Sequence, residues 1–155
     1  MKIQVLEKEL VVSESIEEMF DFFADASNLE QLTPPWLKFR IESQLPVEMR
    51  VSTNIEYRLK VHGIPIKWRS LISEWNPPFS FVDEQVVGPY KLWHHRHVFE
   101  VTPSGTLVRD IVRYSAPGGY LINKFLVRPD LDKIFAYRHQ KLREHFSVPT
   151  ATPAR

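Results

Sequence analysis

Three of the chain's six histidines fall in the stretch Trp93-His94-His95-Arg96-His97-Val98-Phe99. Gly88-Pro89 precedes it and Thr102-Pro103-Ser104-Gly105 follows, so the segment reads as a β-strand between two turns. Side chains alternate along a strand, which puts Trp93, His95, His97 and Phe99 on one face and Leu92, His94, Arg96 and Val98 on the other. Two imidazoles framed by aromatic rings fit a polar patch inside a pocket, a metal site, or a site that handles protons. For a metal, only Asp110 is at hand to join His95 and His97. There is no cysteine, and no metal or other cofactor is expected.

The following turn assigns these residues partners. With Val101 facing Thr106, the pairs run Phe99 with Val108, His97 with Asp110, His95 with Val112 and Trp93 with Tyr114. Opposed residues share a face, so His97 and Asp110 should lie within hydrogen-bonding reach. Two readings of that pair stay open. It is a pair of acid–base candidates for catalysis, or it is a buried polar pair in which each group satisfies the other. An earlier hairpin, turning at His62-Gly63-Ile64-Pro65, places Leu59 opposite Trp68, Tyr57 opposite Ser70 and Thr53 opposite Glu74.

These strands need a scaffold. Residues 2 to 12 suit an opening strand. Ser15-Ile16-Glu17-Glu18 has the form of a capping box, and Ile16, Met19, Phe20 and Phe23 give the helix it starts one apolar face. A second short helix follows at Asn28 to Thr33, capped by Ser27 or Asn28 and stopped by Pro34-Pro35. Alternation then marks strands at 37–41, 51–61, 66–72, 79–87 and 106–115, an antiparallel meander. For 79–87 the inner face is ambiguous, because Phe81 and Asp83 alternate against Val82 and Glu84. From Pro117-Gly118-Gly119 to about Phe146 the period is helical, with Leu121, Ile122, Phe125, Leu126, Leu131, Ile134, Phe135, Arg138 and Leu142 as its inward set. Pro129 should kink or divide that helix. Residues 147–155 read as a disordered tail.

At 155 residues the chain is most simply one domain, spanning 1–146. The formal net charge is +1, which does not favour nucleic acid as a partner. Arg58, Lys60, Lys67 and Arg69 make a basic patch on the outer sheet face, diluted by neighbouring glutamates. No apolar run approaches membrane-spanning length and the first residues carry no signal-peptide pattern, so a cytoplasmic protein without stable membrane insertion is expected. No phosphate loop, serine elbow or nucleotide fingerprint occurs, and no feature assigns an oligomeric state.

Several of these residues carry a resemblance. Asn28-Leu29 with Leu32-Thr33-Pro34, Gly88-Pro89-Tyr90 with Trp93, His95, His97 and Phe99, Asp110 with Tyr114 and Pro117-Gly118, and Phe135-Ala136-Tyr137-Arg138 with Leu142 resemble a bacterial ligand-binding branch of the START-like (SRPBCC) superfamily. That superfamily also holds polyketide cyclase/dehydrase-like proteins. The resemblance covers nearly the whole chain. It implies an α+β helix-grip fold, a curved antiparallel sheet of about six to seven strands around a long C-terminal helix, with two short helices after strand 1. It also implies a cavity between sheet and helix that takes a hydrophobic or aromatic small molecule. Tyr57, Trp68, Trp93, His95, His97, Phe99, Asp110, Tyr114, Phe125, Leu126, Phe135 and Arg138 are the expected lining. The alternative is a cyclase/dehydratase-type enzyme using His97 and Asp110 in the same cavity.

Overall fold

Seven antiparallel strands form a single sheet in the order β1-β7-β6-β5-β4-β3-β2, in a computed structural model that describes residues 2–149. The strands are β1 (Gln4–Val12), β2 (Arg40–Ile41), β3 (Asn54–Val61), β4 (Ile64–Asn76), β5 (Ser80–Val87), β6 (Leu92–Thr102) and β7 (Gly105–Ser115). Helix α1 (Ile16–Ala24) and the one-turn α2 (Leu29–Leu32) follow β1. After β7 the chain is helical without a gap through α3 (Gly119–Ile122), a π-helical turn (Asn123–Val127) and α4 (Arg128–His145). This is the helix-grip fold. No helix among the described residues is long and apolar enough to cross a membrane.

Local sequence accounts for these elements. Ser15 Oγ accepts the Glu18 N–H at 3.2 Å and starts α1. Ile16, Met19, Phe20 and Phe23 are buried on one helix face, where Phe20 meets Trp75, Phe81 and Phe99 edge-on at 5.0–6.0 Å. The second short helix departs from expectation at its start. Asp25 caps a 3₁₀ turn (Ala26–Asn28) that leads into it, accepting from the Ser27 N–H at 3.0 Å, while Asn28 holds the N-cap position of α2 without a side-chain cap bond. The strand expected at 37–41 shrinks to Arg40–Ile41, because Pro35–Leu37 forms a 3₁₀ turn that Lys38 ends at φ 48°. Two breaks in pairing between β4 and β5, at Arg69/Ser70 and Ile72/Glu74, are bulges that bend the sheet.

Pro129 does not divide the C-terminal helix. It is the second residue of α4 within a helix that continues from α3, and the carbonyl four residues back that it cannot bond belongs to Phe125, inside the π-helical turn that takes up the irregularity. Of the tail, Ser147 donates its N–H to Glu14 Oε1 at 3.0 Å and accepts from the Ser13 N–H at 2.8 Å. Residues 150–155 of the expected disordered tail lie outside the described residues.

The β6–β7 turn is tight because Gly105 follows it at φ +147°, with its Cα against the β1 end. A Cβ there would stand 1.9 Å from the Val12 carbonyl oxygen. That oxygen, and the Ser13 Cα and carbonyl carbon at 2.8 and 2.9 Å, all belong to backbone, so none yields cheaply. Gly105→Ala should therefore cost about 2 kcal/mol or more, read as a lower urea midpoint at unchanged slope.

Candidate functional site

The inner sheet face carries a polar row across five neighbouring strands: Tyr57 on β3, Ser70 on β4, Asp83 on β5, His95 and His97 on β6, and Asp110 on β7. The β6–β7 register is the expected one at every pair, including His97 opposite Asp110 and His95 opposite Val112. The expected hydrogen bond is not the one formed. Asp110 Oδ1 instead bonds His95 Nε2 at 2.8 Å, diagonally across the ladder, and stays 3.7 Å from His97 Nδ1. His97 turns to the other neighbouring strand, where its Nε2 bonds Asp83 Oδ2 at 2.5 Å. Asp83 faces inward opposite His95 and settles the ambiguous face of β5: Phe81 and Asp83 point in. Phe81 stacks on the His97 ring at 4.1 Å, and the two imidazoles stack on each other at 3.7 Å.

Helix α4 closes the row from above. Arg138 Nη2 donates to Asp110 Oδ1 at 3.2 Å and lies 3.4 Å from His97 Nδ1. A guanidinium has no lone pair to offer, so His97 Nδ1 must be the acceptor and its proton rides on Nε2, toward Asp83. That tautomer is neutral, and burial pushes the His97 pKa down to about 4, with the charge on His95 second and the Asp83 bond opposing. Burial pushes the Asp110 carboxyl up, but Arg138, His139 and His95 overcome it and hold the group well below the usual carboxylate range. Asp83 is likewise lowered: burial opposes, and the His97 bond and neighbouring positive charges win. The Arg138 guanidinium also lies over the Phe23 ring at 5.0 Å.

A cavity of about 870 Å³ separates this face from α4 and the short helices. Of the twelve expected lining residues, Tyr57, Trp68, Trp93, His95, His97, Leu126, Phe135 and Arg138 border it. The other four do not. Asp110 is 1% exposed behind the histidines, and Phe99 is packed into the core with Phe20. Tyr114 is buried and bonds Asn123 Oδ1 at 2.9 Å. Phe125 is 70% exposed. It projects to solvent because Val127, four residues before Leu131, is the residue that continues the inward face of α4. The expected lining did not include Ser70, Asp83 or His139, which complete the polar row and its cover. At the rim, His62 on the β3–β4 turn bonds Asp130 at 2.7 Å on the first turn of α4.

The first hairpin is shifted by two residues. His62-Gly63 alone makes the turn, both at positive φ, so Tyr57 faces Trp68, Leu59 faces Ile66 and Ile55 faces Ser70. Tyr57 Oη and Ser70 Oγ still share a hydrogen bond of 2.5 Å, now diagonal, and Trp68 Nε1 donates to the same serine oxygen at 3.0 Å. Burial first, then the Asp83 charge, raise the Tyr57 phenol well above its ordinary range. On the outer face Arg58 pairs with Glu42 at 2.5 Å and Arg69 with Glu56 at 2.8 Å.

Asp83, His95 and His97 offer ligand atoms within 4.8 Å of one another, the residue types of a metal site. Their geometry suits one poorly. Imidazole lone pairs lie in the ring plane, and planes 24° apart and stacked send them side by side rather than toward one point.

Comparison with known proteins supplies a family and a fold. The model of a family described as a domain of unknown function, DUF8410, matches residues 12–146. Among solved structures, protein CV1439 from Chromobacterium violaceum is similar with a TM-score of 0.73 at 12% identity, over 94% of this chain and 99% of that one. Protein Ms6760 from Mycobacterium smegmatis gives 0.68 at 12%, over 94% and 96%. Major latex-like protein 151 from Panax ginseng gives 0.69 at 10%, over 94% and 98%. These likenesses carry the START-like fold and nothing finer. No curated protein is significantly similar in sequence.

Proposed function

This chain belongs to the DUF8410 family of domains of unknown function, and we propose that it binds a hydrophobic or aromatic small molecule inside the cavity between sheet and α4. The observation that carries this is the cavity itself, about 870 Å³ with walls such as Leu59, Ile66, Trp68, Trp93, Ile134 and Phe135. Its polar groups are few beside these walls, chiefly the row from Tyr57 to His97 with Arg138, and the His62–Asp130 pair at the rim, an arrangement that can orient a ligand. On this reading residues 1–146 act as one cytoplasmic ligand-binding domain of the bacterial START-like branch. Trp68 and Trp93 pack edge-on at 5.5 Å and serve as aromatic walls.

Native mass spectrometry of freshly purified protein tests it. A released small molecule is expected, or else uptake of N-phenyl-1-naphthylamine with micromolar affinity and quenching of tryptophan emission. Bare protein that also ignores the dye would end the proposal.

A second reading, a cyclase- or dehydratase-type enzyme, draws on the Asp83–His97 pair at the cavity wall. Its weakness is that both His97 nitrogens are already engaged and Asp110 is sealed from the cavity. The free carboxylate oxygen of Asp83 is the better-placed base. His97→Ala separates the readings: abolished turnover with dye affinity kept within a few-fold would make the protein an enzyme.

A further inference from the structure

The polar row of the cavity holds one more proton than it uses. Trp68 Nε1 lies 3.0 Å from Ser70 Oγ, and Ser70 Oγ lies 2.5 Å from Tyr57 Oη. An indole N–H only donates, so its bond ends on the serine oxygen. The serine–tyrosine contact holds one proton, whichever hydroxyl supplies it. Three protons therefore meet two contacts, and one O–H is left without a protein acceptor among the described residues. Both residues line the cavity, where Ser70 is 0% exposed and Tyr57 8%. As the pair stands, Tyr57 Oη donates to Ser70 Oγ; either hydroxyl can donate, and a reversal in which the more deeply buried Ser70 donates leaves the phenol proton for an acceptor in the cavity.

We propose that the bound molecule presents an uncharged acceptor oxygen, a ketone or phenol oxygen, to Tyr57 Oη. The inference rests on the cavity reading above and gives its ligand a polar end. The charge around the site decides against a carboxylate head. Asp83 borders the cavity with its second oxygen unbonded, and its charge reaches Tyr57. Arg138, the guanidinium at the cavity wall, is already held by Asp110 at 3.2 Å. An anionic head would meet an ionised aspartate, and Arg138 is already shared with the Asp110 carboxylate. The raised Tyr57 pKa keeps the phenol a donor throughout the neutral range.

Three probes on one skeleton test this: fluorene, 9-fluorenone and fluorene-9-carboxylate, each displacing N-phenyl-1-naphthylamine from the full chain. Fluorenone should bind about three- to tenfold tighter than fluorene, the worth of one neutral hydrogen bond, and the carboxylate more weakly than either. Tyr57→Phe removes a single oxygen and should erase the fluorenone advantage while fluorene affinity stays within twofold. Infrared spectra give an independent readout, with the carbonyl stretch of bound fluorenone lowered in the wild type and restored in Tyr57→Phe. If fluorene binds but fluorenone is no tighter, or keeps its advantage in Tyr57→Phe, the acceptor-oxygen inference is overturned and the cavity stands. If the dye binds and none of the three displaces it, the acceptor-oxygen inference is overturned; if the dye itself does not bind, the cavity reading falls and takes the inference with it.

Discussion

Asp110→Ala should lower the free energy of unfolding by about 3–5 kcal/mol, the cost of stranding a buried charge. The carboxylate is 1% exposed and holds His95 Nε2 at 2.8 Å and Arg138 Nη2 at 3.2 Å. Without it, the guanidinium of a 7% exposed arginine keeps its charge and loses its counter-ion. Arg138 cannot escape by losing its proton, as a lysine would. Because Arg138 ties α4 to the sheet, the damage should fall on the helix that roofs the cavity. Two further variants isolate the cause. Asp110→Asn keeps an acceptor and should cost less than the alanine. Adding Arg138→Met to Asp110→Ala removes the stranded charge and should recover part of the loss, giving a coupling energy above about 1 kcal/mol in the double-mutant cycle. Urea unfolding at pH 7 reads these three and Arg138→Met alone, which closes the cycle. A loss below 1 kcal/mol for Asp110→Ala, or no recovery in the double variant, would show that Asp110 does not neutralise Arg138.

The faces of β3, β4, β6 and β7 are legible in the sequence, and the face of β5 and the bonds between side chains are not. Alternation along β6 put His95 and His97 inward and His94 outward, and counting back from the 102–105 turn gave the register with β7. A strand sits between two neighbours, however, and its side chains reach diagonally as well as straight across. His97 had Asp83 on one side and Asp110 on the other. The hydrophobic pattern of β5 could not reveal this, because an inward aspartate beside an outward glutamate destroys the alternation that marks a face. The first hairpin shows a milder error. Reading a four-residue turn where His62-Gly63 makes one of two moved the register by two residues, an even shift. Tyr57, Trp68 and Ser70 therefore kept their faces and changed only partners. The helix was harder. Phe125 and Leu131 look like one apolar stripe, but the π-helical turn that contains Phe125 breaks the 3.6 period, and Phe125 comes out on the solvent side.

Acid should unfold this protein early, and His97 should account for the first part of the loss. In the folded state its pKa is pushed down to about 4, against 6.5 for an exposed histidine. Between those values the unfolded chain binds a proton that the folded chain refuses, so stability rises with pH across the window and falls as pH drops from 6.5 toward 4. A shift of this size corresponds to about 3 kcal/mol as an order of magnitude, fully available above pH 6.5. Each group facing the ring bears on the sign. Asp83 pulls toward protonation, while burial, His95 and Arg138 oppose it, and Arg138 already occupies the lone pair of Nδ1 that a second proton would need. Asp83 and Asp110, both lowered, add a second phase of the same sign. Their unfolded counterparts take up protons near pH 4 while the folded carboxylates stay ionised, so their contribution is present above that pH and is lost below it. Urea midpoints at pH 7, 5.5 and 4.5 should fall in step for the wild type. His97→Gln keeps an N–H donor for Asp83 but cannot titrate, so its midpoint should be lower at pH 7 and nearly flat over the same range. An equal slope in His97→Gln would place the titrating group elsewhere and would undo the assignment of His97 as a neutral donor to Asp83.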